Sequence, residues 1–140
     1  MATVPCIDDA RGVSVARVLV VEDFEPFRRS ICSKLGENPE LLVIGEASDG
    51  LEAVRKAEEL QPDLVLLDIG LPKMNGIEAG RQLRKLAPQS KIIFVTQESS
   101  AEVVQEALSL GSCVWKASAE CDLLAAVESV ISGKCFVSSK

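Results

Sequence analysis

Pro62-Asp63-Leu64-Val65-Leu66-Leu67-Asp68-Ile69-Gly70-Leu71-Pro72 is the stretch on which the reading of this chain turns. Four consecutive apolar residues, Leu64 to Leu67, run into a carboxylate and then into a loop of Gly and Pro. A short apolar run bounded by turn residues reads as a central strand buried on both faces. A charge within such a strand is costly, so Asp68 is expected where the strand ends. In open parallel α/β sheets, ligands bind in the crevice outside the carboxyl ends of the strands. Asp68 is therefore a candidate for chemistry; the competing reading is a turn residue that caps nearby amides.

The same grammar repeats on both sides of this stretch. Upstream, Arg17-Val18-Leu19-Val20-Val21 reads as a buried strand ending in Glu22-Asp23. A helix from Phe24 to Leu35 follows, with Phe27, Ile31 and Leu35 on its core face and Pro26 in its first turn. Leu41 to Ala47 is a second strand. Ser48 or Asp49 caps a helix from Gly50 to Leu60, with Leu51, Val54, Ala57 and Leu60 inward. Downstream, Asn75 caps a helix through Leu86, with Ile77, Ala79, Gly80 and Leu83 toward the sheet. Lys91 to Thr96 is a fourth strand, and Ser99 or Ser100 caps a helix to Leu110. Ser112 to Lys116 is a short fifth strand, and Ser118 to Ile131 the last helix.

Five strand–helix repeats demand a parallel sheet with helices on both faces. Right-handed crossovers leave few topologies. The expected fold is a doubly wound five-stranded parallel sheet of order 2-1-3-4-5, flavodoxin-like, with strands 1 and 3 side by side at the switch point. Residues 1–16 mix Pro, Gly and charge without periodicity and read as a flexible N-terminal arm. Residues 17–133 form the domain, and 134–140 a tail or the start of a linker.

The totals narrow the function. At 140 residues the chain is one domain by length. A net charge of −6 argues against nucleic acid binding through a broad basic face. No apolar run approaches the ~20 residues of a membrane span, and the N-terminus lacks the basic and apolar regions of a secretory signal. Five cysteines with no C-x-x-C pair read as reduced thiols in a cytoplasmic protein. The absence of His removes the commonest general base and makes a zinc site a poor reading.

The strand ends carry Glu22 and Asp23 on the first strand, Asp68 on the third, Thr96 on the fourth and Lys116 on the fifth. In the 2-1-3-4-5 order these meet in one crevice. Three carboxylates together repel unless a positive charge sits among them. An oxygen-only cluster with few protein ligands suits Mg²⁺. With Lys116 as a second positive charge and Thr96 as a hydroxyl, Asp68 is set to accept a phosphoryl group as an acyl phosphate. Taken one by one, each residue also has a structural reading, as a helix-dipole charge or an ordinary strand end. There is no G-x-x-x-x-G-K-[ST] run and no G-x-G-x-x-G after a strand.

These pieces resemble the receiver domain of a bacterial two-component response regulator. The matching segments are Val18-Leu19-Val20-Val21-Glu22-Asp23, residues 62–78 with their D-x-x-L-P-x-M-N-G-x-E run, Phe94-Val95-Thr96 and Val114-Trp115-Lys116. With the intervening helices they cover about residues 17 to 132. The resemblance implies that Asp68 accepts a phosphoryl group from a sensor histidine kinase. It implies that Asp23, Asp68 and the Gly70 carbonyl bind Mg²⁺ directly, with Glu22 acting through water. It implies that Thr96 and Lys116 hold the phosphoryl oxygens and carry a switch to the fourth helix, fifth strand and last helix. Residues 123–134 resemble receivers of the NarL/LuxR type, which usually continue into a helix-turn-helix DNA-binding domain, and Lys140 falls near where that linker would begin. Transcription regulation is then the expected output, with DNA bound only by that further domain, and a homodimer is an expected assembly.

There are departures from the family pattern. Glu22 stands where many members have Asp, and Gln97 follows Thr96 where a small residue is common. Cys113 stands where the family has its switch aromatic, and Trp115 is expected on the opposite face from Cys113. A phosphatase on the same fold should carry a second acid two residues after its nucleophile; here that position is Gly70. The expectation is therefore a phosphoacceptor module rather than an enzyme. The alternative is a degenerate receiver, an interaction module that works without phosphorylation.

Overall fold

The structure is a computed structural model that describes residues 7–8, 14–97 and 100–132. The expected tail, 134–140, and most of the expected arm lie outside the described residues. Five parallel strands form the sheet: β1 (Ser14–Val21), β2 (Leu41–Ala47), β3 (Leu64–Asp68), β4 (Lys91–Thr96) and β5 (Ser112–Trp115). They stand in the order β2-β1-β3-β4-β5. Five helices alternate with them: α1 (Glu25–Leu35), α2 (Gly50–Leu60), α3 (Gly76–Leu86), α4 (Ala101–Leu110) and α5 (Ala119–Ile131). The doubly wound fold expected from the sequence is the fold observed.

Strand alternation divides the apolar residues between two layers. Leu19, Val65, Leu67 and Phe94 face the layer of α2, α3 and α4. Val18, Val20, Leu64, Leu66 and Ile93 face that of α1 and α5. Leu64 to Leu67 are at most 1% exposed, as a strand covered on both faces requires. Asp49 caps α2 by accepting from the Glu52 N–H at 2.8 Å, and Asn75 caps α3 by accepting from the Glu78 N–H at 3.0 Å.

Four local expectations are corrected. β1 begins at Ser14, three residues before Arg17, because a two-residue strand, Ile7–Asp8, pairs antiparallel with its start. Part of the stretch read as an arm is therefore strand. Leu51, expected inward, is 52% exposed, because the buried face of α2 is Gly50, Ala53 and Ala57. Lys116 opens a 3₁₀ turn, Lys116–Ser118, instead of ending β5, and α5 starts after it. The face expected for Trp115 also fails, since alternation has period two. Cys113 and Trp115 share a side of β5, and Val114 between them turns to the α1–α5 layer.

A polar latch holds the end of the sheet remote from Asp68. The Arg17 N–H donates to Asp63 Oδ2 at 2.7 Å, and the Asp63 N–H donates to the Arg17 carbonyl at 2.9 Å. The Arg17 guanidinium donates to the Leu60 and Gln61 carbonyls at 2.6 and 3.0 Å, where α2 ends with Gln61 in the left-handed region (φ 46°). One side chain thus joins β1 to the last carbonyls of α2 and meets the negative end of its dipole. Arg17→Met should lower stability by about 1–2 kcal/mol, the worth of charge-assisted bonds at a partly exposed helix end. Urea denaturation measures it, and an unchanged midpoint would contradict the latch.

Candidate functional site

Asp68 is the last residue of β3 and shares the side of Leu64 and Leu66, toward the α1–α5 layer. It is 4% exposed. Glu22, just past the end of β1, is buried, and Asp23 beside it is exposed. One oxygen from each of Glu22, Asp23 and Asp68 lies within 4.8 Å of the others. From the turn after β5, Lys116 brings its Nζ to 3.0 Å from Glu22 Oε1 and 3.5 Å from Asp68 Oδ1. Two backbone amides complete the shell: the Phe24 N–H donates to Glu22 Oε2 at 3.1 Å and the Gly70 N–H to Asp68 Oδ1 at 3.3 Å. The crevice above has a volume of about 740 Å³.

All six residues singled out in the sequence, Glu22, Asp23, Asp68, Gly70, Thr96 and Lys116, line this one crevice. Thr96 is buried at the end of β4, and Gln97 lies exposed at the rim. Sequence reasoning missed Phe24, which is 61% exposed on the rim, because it was read as the first residue of a helix. It also missed Phe27 as a site residue. Helical spacing assigned that ring to the core, yet it lies 5.0 Å from Lys116 Nζ.

Two glycines aim the carboxylate. The loop after β3 turns back on itself, with the Gly76 and Leu71 N–H groups both donating to the Ile69 carbonyl, at 2.7 and 3.0 Å. A Cβ on Gly76 would stand 2.1 Å from the Asp68 carbonyl oxygen, so α3 can start this close to β3 only without a side chain. On the other flank the Gly50 N–H donates to the Pro72 carbonyl at 3.3 Å. A Cβ on Gly50 would stand 1.9 Å from the Met74 carbonyl oxygen. Lys73, in the left-handed region at φ 68°, reaches back to Asp49 at 3.5 Å.

Burial raises the Asp68 carboxyl above its ordinary range, with Lys116 and the Gly70 N–H pulling it back and Asp23 adding to the rise. Burial likewise raises Glu22, against Lys116 and the Phe24 N–H. A raised carboxyl binds its proton more tightly folded than unfolded. Stability is therefore lost as pH rises from the ordinary carboxylate range through the raised values. Burial thus works against charge on Asp68 and Glu22, a cost that a bound cation would offset. Its donors are all oxygen and its third carboxylate stays open to water, a set that fits a small hard cation such as Mg²⁺.

The site is thus an acid crevice at the switch point of a doubly wound α/β domain, with a lysine beside the central carboxylate. The family model of the response regulator receiver domain matches residues 18–128, and the chain belongs to that family. Response regulator protein VraR from Staphylococcus aureus is 37% identical over 120 residues, which cover 84% of this chain and 57% of that protein. The protein-glutamate methylesterase/protein-glutamine glutaminase of Maricaulis maris is 38% identical over 117 residues, 82% of this chain and 29% of that protein. Among solved structures, a LuxR-family two-component response regulator from Aurantimonas matches with a TM-score of 0.82 at 30% identity, over 90% of this chain and 91% of that one. The response regulator domain of Thermotoga maritima CheB matches with a TM-score of 0.78 at 35% identity, over 84% and 97%. The chain spans 29% to 57% of the length of the curated relatives it matches.

Gly76→Ala should cost about 1–3 kcal/mol, the range for an overpacked site, because the Asp68 main chain must move. Chemical denaturation measures the loss; a variant as stable as wild type would mean that the close approach is not required.

Proposed function

We propose that this domain is the phosphoacceptor of a two-component system, taking a phosphoryl group on Asp68 from the phosphohistidine of a sensor kinase. The observation that supports this most is the convergence of Glu22, Asp23 and Lys116 around a buried Asp68 that opens onto a crevice. An Asp68 carboxylate oxygen attacks phosphorus, a P–O bond forms, and the P–N bond to the donor imidazole breaks. The imidazole nitrogen leaves with the electron pair and takes a proton. Lys116 offsets the charge that gathers on the phosphoryl oxygens, and Thr96 offers them a hydroxyl. Asp23, Asp68 and the Gly70 carbonyl would hold Mg²⁺, with Glu22 acting through water; when bound, the ion neutralises charge on the transferred group. The Gly70 N–H already orients Asp68.

In this reading the chain is a signalling module rather than an enzyme, works in the cytoplasm, and controls transcription through a DNA-binding domain. Phosphorylation adds about −1.5 to −2 charges and three acceptor oxygens at Asp68. Drawing Thr96 and Lys116 inward moves the loops after β4 and β5, so the α4–β5–α5 face is the bistable element and a homodimer its natural readout. Cys113, buried under that face, has no ring to swing. The rearrangement is therefore expected to be small and centred on the loop after Thr96.

Acetyl phosphate with Mg²⁺, followed by intact-mass measurement, tests the acceptor. Wild type should gain one stable phosphoryl group and Asp68→Asn none. Without metal, Asp68→Asn should melt at the same temperature or higher and flatten the pH dependence of stability, because it removes a buried charge and keeps the shape. A clear drop in melting temperature would contradict the charge-cluster account, and a wild type that gains no adduct would leave the interaction-module alternative. Hydrogen exchange with beryllofluoride reports the switch. Residues 97–110 should change protection while residues 41–60 hold constant; a change confined to 41–60 would put the route elsewhere.

A further inference from the structure

We infer that Phe27 is a positioning residue for Lys116, a role that rests on the phosphoacceptor reading above. Lys116 is the cation on which that reading depends, yet little in its own chain holds it. Its side chain is a flexible four-carbon stem with a compact, rotatable ammonium. Its backbone lies in the 3₁₀ turn after β5, beyond the last ladder pair of the sheet, Thr96 with Trp115.

Glu22 and Asp68 approach the ammonium from the crevice, at 3.0 and 3.5 Å. The Phe27 ring lies near the same ammonium, with its centroid 5.0 Å from Nζ. Lys116 is the wall between two cavities. It lines the acid crevice, and it also lines a second cavity of about 400 Å³ between α1 and α5. Phe27 lines the second and not the first. The ring therefore meets Lys116 from the side of the second cavity.

An aromatic face within about 6 Å attracts an ammonium through its quadrupole, and more so where water is scarce. Lys116 keeps only 19% of its side-chain exposure. The ring itself is fixed, since Phe27 sits one helical turn before buried Ile31 and packs against the apolar layer of α1 and α5. Two carboxylates alone leave the four-carbon stem free to rotate between them. The ring confines it to the mouth of the crevice, so that an incoming phosphoryl group meets a cation already in place. Leu at this position would supply apolar packing without the quadrupole.

Phosphoryl uptake from acetyl phosphate tests the role. Phe27→Leu should slow uptake about threefold to tenfold, the span of a partly desolvated cation–π contact, and Phe27→Trp should restore most of it. Phe27→Met is a second ring-free variant should the Leu variant fold poorly. The decisive comparison is made in a Lys116→Met background. There Phe27→Leu should have no further effect, because residues that act through one contact are not additive. Equal slowing in both backgrounds would make Phe27 a packing residue and overturn the role. So would a Phe27→Leu protein as fast as wild type, which would leave the acceptor reading intact. A wild type that takes up no phosphoryl group overturns the acceptor reading and this role with it. By NMR, the Lys116 ε-methylene protons should be shifted upfield by the ring in wild type and return to ordinary positions in Phe27→Leu. No difference between the two proteins would overturn the contact independently of any phosphoryl chemistry.

Discussion

Three carboxylates are brought together at one end of the sheet, and the Lys116 ammonium stands against two of them. Two of the three are buried, where charge is least welcome. Lys116 relieves that strain only in part, since burial still raises both Glu22 and Asp68. The residual cost of burial is tolerated because the surrounding fold is over-determined. Strands covered on both faces and two close-packed helix layers leave the strand ends nowhere else to go. Function of this kind is stored as electrostatic strain in a rigid frame.

The frame works by delivering residues far apart in sequence to one edge. Glu22 and Asp68 are neighbours because β1 and β3 pair in parallel register, Val21 opposite Leu67. Thr96 and Lys116 arrive because β4 and β5 continue the ladder on the same side. The crossover helices keep the five parallel strands pointing the same way, and four of them, β1, β3, β4 and β5, end beside the crevice. The opposite edge carries connections of another kind. Arg17 and Asp63 join strand to strand and strand to helix there, the Asp63 carboxylate accepting from a backbone amide and the Arg17 guanidinium donating to backbone carbonyls.

Most of this was legible in the sequence because its signals are local or periodic. Leu64 to Leu67 carried the central strand, Asp49 and Asn75 the helix starts, and the acid, hydroxyl and amine at four strand ends the crevice. The misses share a cause: they turn on what packs against what. Large apolar residues mark a helix face only when the face accepts large residues. α2 lies close to its neighbours and buries Gly50, Ala53 and Ala57 instead, leaving Leu51 outside. Phe27 has the spacing of a core residue and also lies beside a charge 89 positions away in the turn after β5, which no periodicity can encode. The start of β1 depended on pairing with Ile7–Asp8, a contact invisible in a stretch without alternation.

The seat of the loop after Asp68 has a consequence for how such a domain can diversify. Its hydrogen bonds to Gly50 and Gly76 run through main-chain atoms, carbonyl to amide, past two residues with no side chain, while Lys73 adds an exposed ion pair to Asp49. Aim is therefore decoupled from identity. The loop's outward side chains can be exchanged to suit a new partner without re-pointing the carboxylate, so long as Gly50 and Gly76 stay bare. A lineage can redraw the address on this surface while leaving the reagent beneath it untouched.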